Sequence, residues 1–83
     1  MLLIRLSCDT KDGKYPIDFE WWLNNKKLES SGNVVIKNRD DESRLIIRSL
    51  QIEHIGTVRC VASNEVGQDS QAVNLFFNGA YMI

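Results

Sequence analysis

Alternating apolar and polar residues predict that most of this chain forms β-strands. In residues 56–64 the side chains of Val58, Cys60 and Ala62 share one face, while most of the opposite face is polar. The first predicted strand, residues 2–8, carries Cys8 on the same face as its alternating apolar residues. Both cysteines of the chain are therefore predicted to point into a core.

A strand with an inward tryptophan is predicted between the two cysteines. Residues 18–23 place Phe19, Trp21 and Leu23 inward and Trp22 outward. The other predicted strands cover residues 34–37, residues 44–48 with Leu45 and Ile47 inward, and about residues 71–78 with Val73, Leu75 and Phe77 on one face.

Turn-forming residues separate these strands. Asn24 and Asn25 tolerate positive φ. Residues 64–67 are predicted to form a hairpin turn, whose Gly67 can take the left-handed conformation. Residues 38–43 are predicted to form a polar turn. Residues 51–56 are predicted to be a surface connection that holds the single histidine, His54.

Length and charge limit the classes of function. A domain of 83 residues is marginally stable without a cross-link. A disulfide between the two inward cysteines would close a loop of about 50 residues, contribute roughly 4 kcal/mol and indicate an oxidising compartment. Two buried reduced thiols are the alternative. The net charge of −1 provides no field that would attract nucleic acid or an anionic membrane, so proteins are the expected partners.

A set of motifs extends from residue 3 to residue 77. They are Leu6-x-Cys8, Trp21 with Leu28 seven residues later, Leu45-x-Ile47-x-x-Leu50, Gly56-x-x-x-Cys60-x-Ala62-x-Asn64-x-x-Gly67 and Val73-x-Leu75-x-Phe77. Together they resemble the pattern of immunoglobulin domains of the I-set. Residues 15–21, His54-x-Gly56 and residues 62–67 are in addition similar to arthropod Dscam-type cell adhesion molecules.

The resemblance implies an all-β, immunoglobulin-like I-set sandwich of two sheets with Greek-key connections. Its implied disulfide is Cys8–Cys60, and its implied core residues are Trp21, Leu45 and Ile47. The first edge strand of the family is expected to be missing, because the chain begins directly on a core strand. The domain is predicted to cover residues 1–78, with residues 79–83 as a linker or tail.

Two positions depart from the family pattern. His54 stands where the family usually has an aspartate, and Val58 stands where it usually has a tyrosine. Since Val58 has no hydroxyl group, the strand end is expected to lose about 1 kcal/mol of local hydrogen bonding.

The sequence offers little support for catalysis or metal binding. His54 has no serine or cysteine nucleophile beside it. The carboxylates of residues 40–42 lack the alternating ligands and the glycine of a calcium loop. The spacing of the two cysteines fits neither a zinc site nor a redox motif. We therefore predict that the domain is not an enzyme and has no catalytic residue, metal or cofactor.

Strand parity also identifies two outward faces as candidate binding surfaces. The first, called the basic face here, combines apolar and basic side chains beside the acidic turn of residues 40–42, a pattern that suits the antiparallel pairing of two copies. The second, called the tryptophan face, has the composition of an interface hot spot. For either face the alternative is a surface without a partner, because scattered exposed apolar residues are common. The basic face comprises Leu3, Arg5, Val35, Lys37, Arg44, Ile46 and Arg48, and the tryptophan face comprises Trp22, Arg59, Val61 and Phe76.

The resemblance implies an extracellular adhesion and recognition module of a Dscam-like receptor. Such a receptor is a cell-surface membrane protein, and this domain would meet the membrane only through other parts of it. The expected partner is an identical domain, bound antiparallel through the basic face, with no nucleic acid and no small-molecule substrate. The alternative is an I-set spacer domain of an intracellular, sarcomeric-type scaffold.

Overall fold

The computed structural model describes residues 2–11 and 13–76, which form two antiparallel β-sheets packed face to face. One sheet has three strands in the order β1-β5-β4, and the other has four in the order β3-β2-β6-β7. The predicted all-β sandwich of two sheets is confirmed. The strands are β1 (Ile4–Asp9), β2 (Asp18–Leu23), β3 (Lys26–Lys27), β4 (Val34–Asn38), β5 (Glu42–Ile47), β6 (Gly56–Ser63) and β7 (Gln68–Leu75), and a 3₁₀ turn at Ile52–His54 joins β5 to β6.

The core lies between the sheets because the strands that line it turn alternate side chains inward. Leu45 and Ile47 of the three-stranded sheet are fully buried, and Trp21 of the four-stranded sheet belongs to the same buried cluster. The structure contains a disulfide between Cys8 in β1 and Cys60 in β6. The two sheets are therefore covalently joined through the centre of the core.

Ser43 anchors the buried tryptophan. The indole Nε1 of Trp21 donates a hydrogen bond of 2.8 Å to Ser43 Oγ, and Ser43 is completely buried. The predicted polar turn over residues 38–43 is therefore wrong at both ends. The backbone N–H of Arg39 donates to the carbonyl oxygen of Glu42, at 2.8 Å, and this tight turn lets Asn38 pair with Ser43 at once.

β7 begins at Gln68, three residues before the predicted start of the last strand at residue 71. Ser63 of β6 pairs directly with Gln68 across a tight turn. The side chain of Asn64 organises that turn, because its Oδ1 accepts hydrogen bonds from the backbone N–H groups of Val66 and Gly67. The strand ends at Leu75, and the predicted residues Phe77 and Asn78 lie outside the described residues, as does the predicted tail at 79–83.

Positive φ angles occur in the first predicted turn, at Asn24 and Asn25, and are absent from the predicted hairpin turn at residues 64–67. Asn24 and Asn25 have φ angles of 50° and 68°, which confirms the turn between β2 and β3. Gly67 does not adopt a positive φ, so the predicted hairpin turn forms without the left-handed conformation that glycine can take. Gly56, at the start of β6, has the positive φ instead, at 141°. An added Cβ at this position would collide with the side chain of Asn24.

His54 is buried, with 5% of its surface exposed. Its Nδ1 accepts a hydrogen bond of 2.8 Å from the backbone N–H of Gln51, while its own backbone N–H donates to the Gln51 carbonyl oxygen at 2.9 Å. The prediction of a plain surface residue is therefore wrong. The 3₁₀ turn folds the imidazole back over the residue that precedes the turn, which removes the ring from solvent.

The inner side of β7 is only partly covered. Within residues 2–11 and 13–76, no strand pairs with the outer edge of β7. Val73 points inward and pairs with the buried Val58, yet 45% of its surface is exposed. A groove of about 180 Å³ between β1 and β7 reaches Trp21 and the Cys8–Cys60 disulfide. One side of the core is therefore open.

Candidate protein-binding faces

The basic face occupies the outer surface of the three-stranded sheet. Strand pairing arranges its outward side chains in rows, because paired residues of antiparallel strands point to the same side. The structure brings five of the seven predicted residues together in two adjacent rows. Leu3 and Arg48 lie just beyond the strand ends and are exposed. The rows are Arg5–Ile46–Val35, called the Ile46 row, and Ser7–Arg44–Lys37, called the Arg44 row.

Apolar, basic and acidic groups follow one another along this face. Ile46 and Val35 are half-buried, and Ile46 lies in the central strand of the sheet. The Arg44 row comes next. Beyond it Asp9 pairs with Glu42 to form an acidic row, which adjoins the exposed turn at residues 40–41.

Ion pairs within the chain neutralise part of this charge. The Nε atom of Arg44 lies 3.4 Å from Glu42 Oε1, and the Nε atom of Arg39 lies 4.0 Å from the same oxygen. Among the described residues, the remaining basic and acidic side chains of the face have no oppositely charged group within 4.0 Å. These unpaired groups are Arg5, Lys37 and Arg48 on the basic side and Asp9, Asp40 and Asp41 on the acidic side.

The tryptophan face lies on the outer surface of the four-stranded sheet. Trp22 pairs with Arg59, and Val61 lies two residues further along β6, so these three predicted residues are neighbours. Phe76 is separate from them. It lies four residues beyond Ala72, the β7 partner of Arg59, which is about 13 Å along the sheet. The predicted grouping of Phe76 with Trp22 and Val61 is therefore wrong.

A polar depression of about 560 Å³ occupies the tryptophan face. The indole Nε1 of Trp22 donates a hydrogen bond of 3.2 Å to Glu20 Oε1, and Glu20 Oε2 lies 3.5 Å from Lys27 Nζ. Arg59 donates from Nη1 to Ser70 Oγ at 3.4 Å, and no carboxylate of the described residues lies within 4.0 Å of it. Glu20 is thus charge-balanced, whereas Arg59 is not. The depression is lined by Glu20, Trp22, Asn24, Asn25, Thr57, Arg59, Val61 and Gln68.

The described part of the chain contains one helical segment, the 3₁₀ turn Ile52–His54. No helix in that part is long and apolar enough to cross a bilayer. Its histidine, cysteine, aspartate and glutamate side chains form no group of three that is suited to holding a metal ion.

Comparison with known protein sequences identifies one family. The model of the immunoglobulin I-set domain matches residues 3–77. Limbic system-associated membrane protein of Rattus norvegicus is 31% identical over 75 residues, which cover 90% of this chain and 22% of that protein. The chain spans about a fifth of the length of the curated relatives of this name.

Solved structures give the same fold. The crystal structure of the Dscam1 Ig7 domain, isoform 5, superimposes with a TM-score of 0.87 at 25% identity, covering 93% of this chain and 80% of that one. The M1 domain from titin superimposes with a TM-score of 0.83 at 24% identity, covering 89% of this chain and 76% of that one. The likeness to titin shows the fold alone.

Proposed function

The chain belongs to the immunoglobulin I-set family, and we propose that it is a recognition module of a cell-surface adhesion receptor similar to Dscam-type molecules. Its proposed partner is an identical domain, bound through the basic face. We base the proposal on the distribution of charge along that face. Among residues 2–11 and 13–76, basic side chains and carboxylates without an ion-pair partner occupy different parts of one surface. A surface of this kind is complementary to itself when two copies pair antiparallel.

A two-fold axis that runs across the strands, along the Arg44 row, gives such a pairing. Rotation about this axis places the Ile46 row of one copy over the acidic row of the other. Arg5 of one copy then faces Asp9 of its partner, and the reverse contact forms by symmetry. Arg44 lies at the axis, where its ion pair with Glu42 offsets the repulsion between the two copies.

Ile46 is the central apolar side chain of this contact. It lies in the middle strand of the sheet, one row from the proposed axis, and is half-buried in the single domain. Docking a second sheet over the face would remove the rest of its surface from water, which is favourable. Because the sheet is three strands wide, we expect a small interface and a weak, reversible dimer.

Three observations support a cell-surface location. The Cys8–Cys60 disulfide is typical of proteins from oxidising compartments. A relative that matches most of the chain is named a membrane protein. The Dscam1 Ig7 domain has the same fold at 25% identity.

Sedimentation equilibrium over micromolar to millimolar concentrations tests the proposal. The unaltered domain should form a reversible dimer. Ile46→Asp should be monomeric, because the new carboxylate faces the acidic row of the second copy and competes with Asp9 of that copy for Arg5. Val61→Asp is the matched control, since Val61 is a half-buried aliphatic residue on the outer surface of the opposite sheet. A folded Ile46→Asp protein that dimerises as strongly as the unaltered domain would contradict pairing through the basic face.

A spacer domain in an intracellular, sarcomeric-type scaffold is the second candidate function. A relative named striated muscle preferentially expressed protein kinase, from Danio rerio, is 32% identical over 71 residues and favours it. The two functions differ in the compartment that they require, so the oxidation state of the two cysteines in the native protein distinguishes them.

A further inference from the structure

The outer edge of β7 presents backbone groups that β6 does not use. The backbone N–H of Asn64 donates to the carbonyl oxygen of Gly67, and from this turn onward hydrogen-bonded pairs alternate along β6 and β7. In this alternation the N–H and C=O groups of Ala72, Asn74 and, one step further, Phe76 point away from β6. No strand in the described part of the chain pairs with them. Backbone groups of this kind form a template for another strand.

The template is blunted at the start of β7 and open at its end. The N–H of Ser70 also points to this edge, and it donates a hydrogen bond of 2.8 Å to Asp69 Oδ1. A carboxylate at the edge discourages pairing there. At the other end Leu75 packs against the core and Phe76 is 74% exposed. An added strand is therefore expected to pair with the last residues of β7.

The sequence that follows β7 predicts a turn back to this edge. The next residues lie outside the described part of the chain and contain Asn78-Gly79, which is a strong hairpin signal. A three-residue loop of residues 77–79 has a type I turn and ends on a glycine in the left-handed conformation. This loop pairs Phe76 with Ala80. Because the backbone groups of Phe76 point away from β6, the returning chain meets the free edge.

The alternation along β7 favours this loop over a shorter one. A two-residue loop of residues 78–79 would pair Phe77 with Ala80 through backbone groups that point towards β6. That side is occupied, since β6 begins at Gly56, the partner of Leu75. The three-residue loop directs the chain to the side that is open.

We propose that residues 80–82 fold back as an additional strand, antiparallel to the end of β7. Paired residues point to the same side of a sheet, so Tyr81 lies beside Leu75 on the inner side. Met82 lies diagonally across from Phe76 on the outer side and covers part of its ring. The pairs are Phe76 with Ala80, Leu75 with Tyr81 and Asn74 with Met82.

The added strand needs little new order. An isolated two-stranded hairpin is only marginally stable in water, but β7 is already held by β6 along its whole length. Only the loop and the returning residues lose conformational freedom. In return, the edge gains hydrogen bonds and is protected from pairing with other chains. The strand belongs to the sheet opposite the basic face, so it does not depend on the proposed dimer.

Amide hydrogen exchange of the unaltered domain, followed by two-dimensional NMR, tests the pairing. The N–H groups of Asn74 and Phe76 should exchange at least about tenfold more slowly than that of Ala72, which points to the same edge beyond the proposed strand. Leu75 and Tyr81 form a pair without hydrogen bonds, in which the Cα atoms are about 4.5 Å apart. We therefore also expect a strong nuclear Overhauser effect between their Hα atoms.

Two glycine variants test the turn. Gly79→Val should remove the protection of Asn74 and Phe76, because valine strongly disfavours the left-handed conformation. Gly32→Val is the matched control and should retain it, since Gly32 is exposed and an added Cβ there meets no atom within 4 Å. If Gly79→Val does not fold, the Overhauser effect in the unaltered domain still decides.

Two results would overturn the proposal. The first is exchange at Asn74 and Phe76 as fast as at Ala72, without the Overhauser effect. The second is protection that survives Gly79→Val, and if this protection rises with protein concentration, the edge is occupied by a second copy of the domain. The same measurements on Ile46→Asp should give the same protection, which separates this proposal from pairing through the basic face.

Discussion

Ser43 and Trp21 form a buried hydrogen bond that crosses from one sheet of the sandwich to the other. The hydroxyl of Ser43 accepts from the indole and in turn donates to the side-chain oxygen of Asn38. A buried polar group without a partner loses its hydration and gains nothing in return. The serine therefore makes burial of the tryptophan N–H favourable at the centre of the core.

Substitution Ser43→Ala should lower the free energy of unfolding by about 1–3 kcal/mol, because it leaves the indole N–H unpaired. Ser7→Ala is the matched control, since Ser7 is exposed on the outer side of β1, and it should change stability by less than about 0.5 kcal/mol. Urea unfolding of the three proteins measures both effects. Equal stability of Ser43→Ala and the unaltered domain would mean that the hydrogen bond contributes nothing net.

Burial of single polar residues was the hardest property to predict from the sequence. Ser43 lies two and four residues before Leu45 and Ile47. The alternation of strand side chains therefore indicated that Ser43 points inward. The polar run before it favoured a turn, and its partner Trp21 is 22 residues away. The burial of His54 was even harder to predict, because it follows from a hydrogen bond with Gln51 within one 3₁₀ turn.

At the scale of strands, β6 and β7 show that inward parity does not guarantee burial. Val58 and Val73 are directly paired and point to the same side of the sheet. Val58 is 1% exposed, whereas Val73 is 45% exposed, because β7 lies at the open edge of the sandwich. The same side chain thus contributes differently on neighbouring strands.

Truncation of the two valines should show this difference. Val58→Ala should cost about 2 kcal/mol or more, from lost apolar burial and the cavity that remains. Val73→Ala should cost less than about 1 kcal/mol, because nearly half of its side chain is already in water. Urea unfolding of both variants provides the measurement. A loss at Val73 as large as that at Val58 would indicate that the groove beside β7 is closed in solution.

The faces of the strands were predicted well, whereas the sequence pattern made no prediction of their register. Alternation is a local property, so it correctly placed Trp22 and Arg59 outward on neighbouring strands. Register depends on the turn that joins two strands. The tight turn made by Asn64 pairs Ser63 with Gln68. In this register Phe76 lies four residues beyond Ala72, the partner of Arg59, and therefore away from Trp22.

At the scale of the whole molecule, the fold could be predicted because a few widely spaced core residues identify it. Cys8, Trp21 and Cys60 lie on three strands of two sheets, and their spacing is that of an immunoglobulin sandwich. The partners could not be predicted with the same certainty, since binding depends on surfaces outside this chain. Pairing through the basic face therefore needs a binding measurement.

The disulfide links the stability of this molecule to the redox conditions around it. It joins residues 52 positions apart in a chain of 83 residues, and in the chain-entropy model a loop of this length contributes about 4 kcal/mol. Single domains have total stabilities of roughly 5–15 kcal/mol, and small ones lie at the lower end. Reduction should therefore remove a large fraction of the stability.

We expect a thiol assay on protein kept under native redox conditions to find no free thiol, and reductant to lower the urea midpoint strongly. The double variant Cys8→Ala with Cys60→Ala is the control, because its midpoint should not respond to reductant. Two free thiols in the native protein, with a midpoint that reductant leaves unchanged, would contradict the extracellular adhesion function. The spacer function would then be favoured, since an intracellular domain has to remain folded with its cysteines reduced.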